Sequence, residues 1–180
     1  MPDHLFLSGI KHSGKTTTAR HLSHLSHLPW VDLDQLIEQA ITPYPTIRDF
    51  YRAEGQVAFS ALEYKTLSTF LSAANEPYII ALGGGACDNG PLMELVGQHG
   101  KLIYLIVDEE TLYERIARTG IPPFLDHANP RTSFAELYAR RHERYSKSAD
   151  LLIQLPVSLS ADEIALYVWQ TVMGGTSYGV

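Results

Sequence analysis

The residues whose types and spacing most directly imply chemistry are Gly9-x-x-x-x-Gly14-Lys15-Thr16. The run LFLS leads into them and an amphipathic stretch follows, so the segment lies where a strand gives way to a helix. Each position has a use in holding phosphate. Gly9 and Gly14 permit backbone conformations and close approaches that a Cβ would block. The intervening N–H groups, with Ser13 and Thr17 in the same turn, form an anion nest at a helix N-terminus. Lys15 bridges β- and γ-phosphates, and the Thr16 hydroxyl is a ligand for Mg²⁺. The alternative is a glycine-rich turn used only for packing. The full eight-residue match between strand and helix favours a nucleotide held with Mg²⁺, but GTPases, motor ATPases and small-molecule kinases share this cradle, and the rest of the chain must discriminate.

Two further groups can complete a phosphotransfer site. Trp30-Val31-Asp32-Leu33-Asp34 ends a short strand, and extended alternation would put Asp32 and Asp34 on one side. One carboxylate then organises the metal shell while the other takes a proton from an attacking hydroxyl. Alternatively, Asp34 only caps the helix that follows. Gly83, Gly84 and Gly85 end another apolar run. Three consecutive glycines forfeit backbone entropy, so either something approaches the main chain closely or the chain simply turns tightly.

These groups need a scaffold that gathers strand ends. Candidate strands are Leu5 to Ser8, Trp30 to Asp32, Tyr78 to Leu82, Leu102 to Val107 and Leu151 to Leu155. YIIAL and LIYLIV lack polar alternation, as parallel strands covered on both faces do. Between them the spacing predicts helices over Lys15 to Leu25, Asp34 to Ala40, Ile47 to Ala73, Pro91 to Gln98, Glu109 to Arg118, Phe134 to Lys147 and Ala161 to Met173. Thr46, Ser133 and Ser160 are the expected N-caps. Regular exchange of strand and helix gives an α/β layered sheet. Residues 119–130 hold three prolines and one glycine, and read as an ordered loop or flap; the tail reads as frayed.

Composition narrows the function classes. The chain has 180 residues, room for one domain with a real core. Fourteen basic against twenty acidic residues leave a net charge of −6, which argues against nucleic-acid binding by general electrostatics. One cysteine, Cys87, fits a reducing compartment, and no apolar run suits a membrane span or signal peptide. A cytoplasmic protein without nucleic-acid or membrane partners is expected. His21, His24 and His27 lie three apart on a helix, which fits a solvated helix end better than a metal site.

Together, the GKTT loop, WVDLDQLIE and IIALGGG resemble the shikimate kinase family in order and approximate spacing. Gly55-Gln56 through Phe59 to Glu63 resembles its central helix motif, and Arg141-His142-Glu143-Arg144-Tyr145 its Arg-x-x-x-Tyr stretch. The likeness spans most of residues 4–170. It implies a doubly wound P-loop kinase of nucleoside-monophosphate-kinase type, with a five-stranded parallel sheet, an acceptor-binding helical segment over 33–74 and a lid over 119–132. It also implies ATP and Mg²⁺ on Lys15 and Thr16, and Asp32 near the metal. Asp34 would meet the acceptor hydroxyls, Gly83 to Gly85 would line the acceptor pocket, Arg141 would pair with the acceptor's carboxylate and Arg118 would stack on adenine. Ser60 and Pro122 stand where the family carries two arginines, one for the acceptor's carboxylate and one for the transferring phosphates. Shikimate is the leading acceptor on this reading. A polyol, sugar acid or nucleoside is the alternative, as is a regulatory nucleotide binder that transfers nothing; a monomer or weak homodimer is expected.

Overall fold

The computed structural model describes residues 3–122, 124–156 and 158–174. Five strands, β1 (His4–Ser8), β2 (Trp30–Asp32), β3 (Ile79–Ala81), β4 (Gly100–Ile106) and β5 (Leu151–Gln154), form one sheet in the order β2-β3-β1-β4-β5. Every pairing is parallel, with Leu7 beside Ala81 and Ile103, and Asp32 beside Ala81. Among the described residues seven α-helices accompany them: α1 (Lys15–Ser26), α2 (Leu33–Ala40), α3 (Ile47–Ala73), α4 (Gly90–His99), α5 (Glu109–Thr119), α6 (Pro130–Ser148) and α7 (Ala161–Gly174).

The absence of polar alternation in the strands has its cause in two apolar layers. Leu7, Ala81, Ile103, Leu105 and Ile153 pack on one face with Leu22 of α1, Ile116 of α5, Phe134 of α6 and Val168 of α7. Phe6, Ile80, Leu82 and Leu102 pack on the other with Ile37 of α2, Leu67 of α3 and Leu92 and Val96 of α4. Alternate residues of one strand therefore enter different cores, and each buried aliphatic side chain contributes roughly 1.5–3 kcal/mol. Chain order leaves the ends of β1, β2 and β3 side by side on the carboxyl edge, where ligands of open α/β sheets collect.

Local chemistry sets the helix ends. Thr46 accepts from the Asp49 amide at 3.1 Å, and Ser160 and Glu163 form a reciprocal cap at the start of α7. Ser133 is not a cap: α6 begins one turn earlier, with Asn129 at the cap and Pro130 in the first turn. The Ser133 hydroxyl instead accepts from the Asp126 amide at 3.1 Å, tying the preceding loop to α6. A single 3₁₀ turn, Ala86–Asp88, follows the glycine triplet, too short to register as a periodic pattern. Within α3, Gly55 takes φ 80° and interrupts the helix. The expected strands and helices otherwise form with their ends displaced by a residue or two. Of the expected flap, Pro123 lies outside the described residues, as do residues 175–180 of the expected tail.

Candidate active site

The loop from Gly9 to Gly14 joins β1 to α1 and closes around its own lysine. Lys15 is 8% exposed, and its ammonium donates to the carbonyls of Gly9 at 2.9 Å and Ile10 at 3.3 Å. Burial pulls its pKa down to about 8, against the opposing pull of Asp34 and Asp32. Gly14 adopts φ 89°, a left-handed conformation that favours glycine, and its carbonyl accepts from the Thr18 amide at 2.8 Å. A Cβ on Gly9 would lie 2.9 Å from the Leu105 carbonyl oxygen. The Ser13 hydroxyl is buried without a hydrogen-bond partner among the described residues. An orphaned hydroxyl beside a caged ammonium in a glycine-lined loop is a donor set for phosphate oxygens.

Asp32 and Asp34 converge, but not by strand alternation. β2 ends at Asp32, and Asp34 already belongs to α2. Asp32 is the helix cap: its Oδ1 accepts from the amides of Asp34 at 2.9 Å and Gln35 at 3.4 Å. The alternative that Asp34 caps this helix is thereby excluded. The Thr16 hydroxyl donates to the other Asp32 oxygen at 2.5 Å. Thr16 and Asp32 thus present two hard oxygen ligands side by side, the chemistry that suits Mg²⁺. Asp34 lies open to the cleft, yet protein atoms crowd its carboxyl. That desolvation, and then the Asp32 charge, hold its pKa above the ordinary carboxylate range.

The three glycines each meet a different part of the site. A Cβ on Gly83 would lie 2.9 Å from Asp34 Oδ1 and 3.5 Å from Glu63 Oε1. One on Gly84 would lie 2.9 Å from the backbone nitrogen of Lys11 in the phosphate loop. One on Gly85 would lie 2.8 Å from Arg141 Nη2. The chain does turn tightly here, the Ala86 amide donating to the Gly83 carbonyl at 3.1 Å, and the turn is also a shelf on which the loop, Asp34 and Arg141 close in. Tyr145, fully buried, reaches the carbonyls of Gly83 and Gly84 at 3.3 Å each and receives the Cys87 amide at 3.4 Å.

Arg141 is fixed by a residue that sequence reasoning missed. Its Nε and Nη2 lie 3.0 and 2.9 Å from Asp88 Oδ2, and Phe124 stacks over the guanidinium at 5.8 Å. Arg144 also binds Asp88, at 2.6 Å. Arg131 is engaged elsewhere, with Glu109 and Glu110 and over the Tyr113 ring. Arg118 stays at the surface, 80% exposed and 3.8 Å from Glu114. One turn earlier, Arg115 donates to the His12 carbonyl at 2.9 Å. It also helps line a cleft with Ser13, Gly14, Thr17, Val107 and Pro156. The signal for Arg115 was its place opposite the last turn of the loop, which only tertiary structure supplies. His21 lies 2.5 Å from Asp162, linking α1 to α7.

A phosphate cradle, two oxygen side chains that could hold Mg²⁺ and a glycine shelf flanked by carboxylate and guanidinium fit a P-loop kinase of small molecules. Comparison with known proteins narrows this. The family model described as Shikimate kinase matches residues 11–172. The shikimate kinase of Chlorobaculum tepidum is 33% identical over 157 residues, covering 83% of this chain and 80% of that protein. That of Paracidovorax citrulli is 31% identical over 149 residues, covering 83% and 80%. Among solved structures, shikimate kinase from Acinetobacter baumannii in complex with shikimate superimposes with a TM-score of 0.86 at 28% identity, covering 98% of this chain and 96% of that one. The chain belongs to the shikimate kinase family, a family of ATP-dependent kinases that work with Mg²⁺. The fold expected from its motifs, a P-loop kinase sheet of five parallel strands, is the fold observed. No helix among the described residues is long and apolar enough to cross a membrane.

Proposed function

We propose that this chain transfers the γ-phosphoryl group of ATP to a hydroxyl of shikimate. The observation that carries this reading is the convergence on the Gly83 to Gly85 shelf of Asp34 at Gly83, the phosphate loop at Gly84 and Arg141 at Gly85. Gly9, Ser13, Gly14, Lys15, Thr16 and Thr17 take the nucleotide's phosphates, and Thr16 and Asp32 hold Mg²⁺. Bound there, the ion neutralises charge on the phosphate oxygens. The cleft beside Arg115, with Val107 and Pro156, offers an apolar slot with one cation to the base. Arg118 serves the base only if its exposed side chain folds inward.

Catalysis rests mainly on position and charge. Lys15 exchanges the Gly9 and Ile10 carbonyls for phosphate oxygens, so its ammonium is already aimed before the ligand arrives. Asp34 orients the attacking hydroxyl and accepts its proton; the crowding that raises its pKa makes it a better base than a solvated carboxylate. The glycine shelf lets the acceptor lie against the main chain. Arg141, held by Asp88, takes the acceptor's carboxylate. Residues 33–74 form the acceptor segment of a single domain, and the segment 119–132, which joins the end of α5 to the start of α6, serves as the lid that excludes water. We further propose a cytoplasmic monomer or weak homodimer with no nucleic-acid or membrane partner.

The test is ADP release measured over a panel of shikimate, other cyclic hydroxy acids, polyols and nucleosides. Shikimate should give the highest kcat/KM. Preferential turnover of another class, or ATP binding without acceptor-stimulated ADP release, would refute the proposal.

A further inference from the structure

Lys11 is the third residue of the phosphate loop, and its main chain lies against the glycine shelf. A Cβ on Gly84 would lie 2.9 Å from its backbone nitrogen, 3.1 Å from its Cα and 3.3 Å from its own Cβ. The side chain therefore leaves the backbone at the seam between the loop that takes the nucleotide and the shelf that takes the acceptor. Asp34 meets the shelf one residue earlier, at Gly83, and Arg141 one residue later, at Gly85. Lys11 differs from the other cations of the site in being exposed and unrestrained: its ammonium has no hydrogen-bond or ion-pair partner among the described residues. A compact charge on a flexible four-carbon stem can follow a group that moves.

A moving charge needs such a partner. As the phosphoryl group leaves ADP, negative charge spreads over its three equatorial oxygens, and Lys15 stands only on the nucleotide side. Segment 119–132 holds a single Arg or Lys, Arg131, and that side chain is engaged with Glu109, Glu110 and the Tyr113 ring. Arg141 is held by Asp88 at the far end of the shelf.

We propose that Lys11 is a further catalytic residue: its ammonium binds an equatorial oxygen of the phosphoryl group while that group passes from ATP to the acceptor hydroxyl. The bond from the γ-phosphorus to its bridging oxygen breaks and leaves its electron pair on ADP. The acceptor oxygen forms the new bond to phosphorus, and its proton goes to Asp34. Lys11 gives up no proton and supplies charge alone. This deepens the phosphotransfer reading above and rests on it, but not on the choice of acceptor.

The charge of Lys11 is felt at both ends of that path. Protein atoms crowd Asp34 and raise its pKa, and Lys15 and Lys11 oppose the rise. Burial lowers Lys15 to about 8, and Arg141 and Lys11 add to the fall. A negative phosphoryl group between the two ammoniums turns their repulsion into attraction for both.

The test uses Lys11→Met, which keeps the stem and removes the charge, and Lys11→Arg, which keeps the charge; both should melt at the wild-type Tm. With shikimate as acceptor, Lys11→Met should lower kcat about a hundredfold, with the KM of each substrate within about threefold. Lys11→Arg should keep at least about a tenth of the wild-type rate. A second readout needs no turnover: calorimetric titration of Mg-ADP with and without aluminium fluoride, a mimic of the phosphoryl group in transit. Fluoride should tighten ADP binding to the wild type, and Lys11→Met should lose about tenfold or more of that gain while binding ADP alone equally well. A kcat within about threefold of wild type in Lys11→Met would overturn the proposal, as would an equal fluoride effect in the two proteins. So would a raised shikimate KM at constant kcat, which would put Lys11 on the acceptor's carboxylate instead. If the wild type does not phosphorylate shikimate, the acceptor assignment falls, and the fluoride titration decides the role of Lys11.

Discussion

Replacing Asp88 with asparagine tests the idea that the Arg141 guanidinium proposed for the acceptor's carboxylate is positioned by a residue that does not itself touch the acceptor. Asp88 Oδ2 receives two bonds from Arg141, and the two side chains are only 17% and 13% exposed. Charge-assisted bonds contribute about 1.5–3 kcal/mol and neutral ones about 0.5–1.5. Asparagine can still offer a carbonyl oxygen, so the variant loses the difference, about 1 kcal/mol per bond. Two bonds give about 2 kcal/mol of lost positioning. Part of that reaches the acceptor, and its KM should rise roughly tenfold.

An opposing effect must be weighed. Removing a carboxylate leaves Arg140, Arg141 and Arg144 less neutralised, which favours an anionic acceptor. Arg140 and Arg144 are about half exposed, however, and solvent and salt screen them. Loss of orientation at Arg141 should therefore win. The ATP KM serves as the internal control, because Lys15 is held by backbone carbonyls that Asp88 does not touch. Steady-state kinetics with each substrate varied in turn would read both constants. An acceptor KM that stays constant or falls, in a variant with wild-type Tm, would refute the positioning role.

Thr16→Val keeps the volume and removes the hydroxyl that meets Asp32; activity should fall at least about a hundredfold, and rising Mg²⁺ should recover part of it in a titration. Gly84→Ala drives a Cβ into the Lys11 backbone, which cannot rotate away. It should lower Tm by an equivalent of about 1–3 kcal/mol and weaken both substrates, as seen by thermal melts and kinetics. Glu63 binds a proton in the fold that the unfolded chain releases, so its contribution to stability falls as pH rises from about 4.5 to about 7. That loss amounts to about 3 kcal/mol, and denaturant titrations should find Glu63→Gln more stable than wild type at pH 8 but not at pH 4. Equal differences at both pH values would contradict the assignment of the buried proton to Glu63.

How much of this was legible in the sequence follows from how local each feature is. The phosphate loop is a contiguous segment whose function lies in its own backbone, so GIKHSGKT sufficed. The glycine triplet was readable as a close approach because a run of glycines has few other uses, though not that three different groups approach it. Asp32 and Asp34 were readable as a pair, but the geometry was not: the strand stops at the first aspartate, and helix capping brings the two together. Asp88 and Arg115 were silent, since each works only by meeting a residue at least 53 positions away. Ser133 misled because a capping residue was present, while Asn129 and Pro130 offered a start one turn earlier.

The same locality explains how a chain with a net charge of −6 can handle two anionic substrates. It does not gather free cations, which would repel one another in a half-buried cleft. Three of the cations around the cleft are instead held by an oxygen that restrains them: Lys15 by Gly9 and Ile10, Arg115 by His12, Arg141 by Asp88. For Lys15 and Arg115 the restraining groups are neutral carbonyls, which cost little to displace when a phosphate arrives. For Arg141 the partner is a full charge, which holds the guanidinium in place for the acceptor carboxylate it is proposed to take. The nucleotide side is thus built to exchange partners and the acceptor side to keep them. The positioning of Arg141 should accordingly survive removal of the acceptor, whereas Lys15 should change partners whenever nucleotide binds.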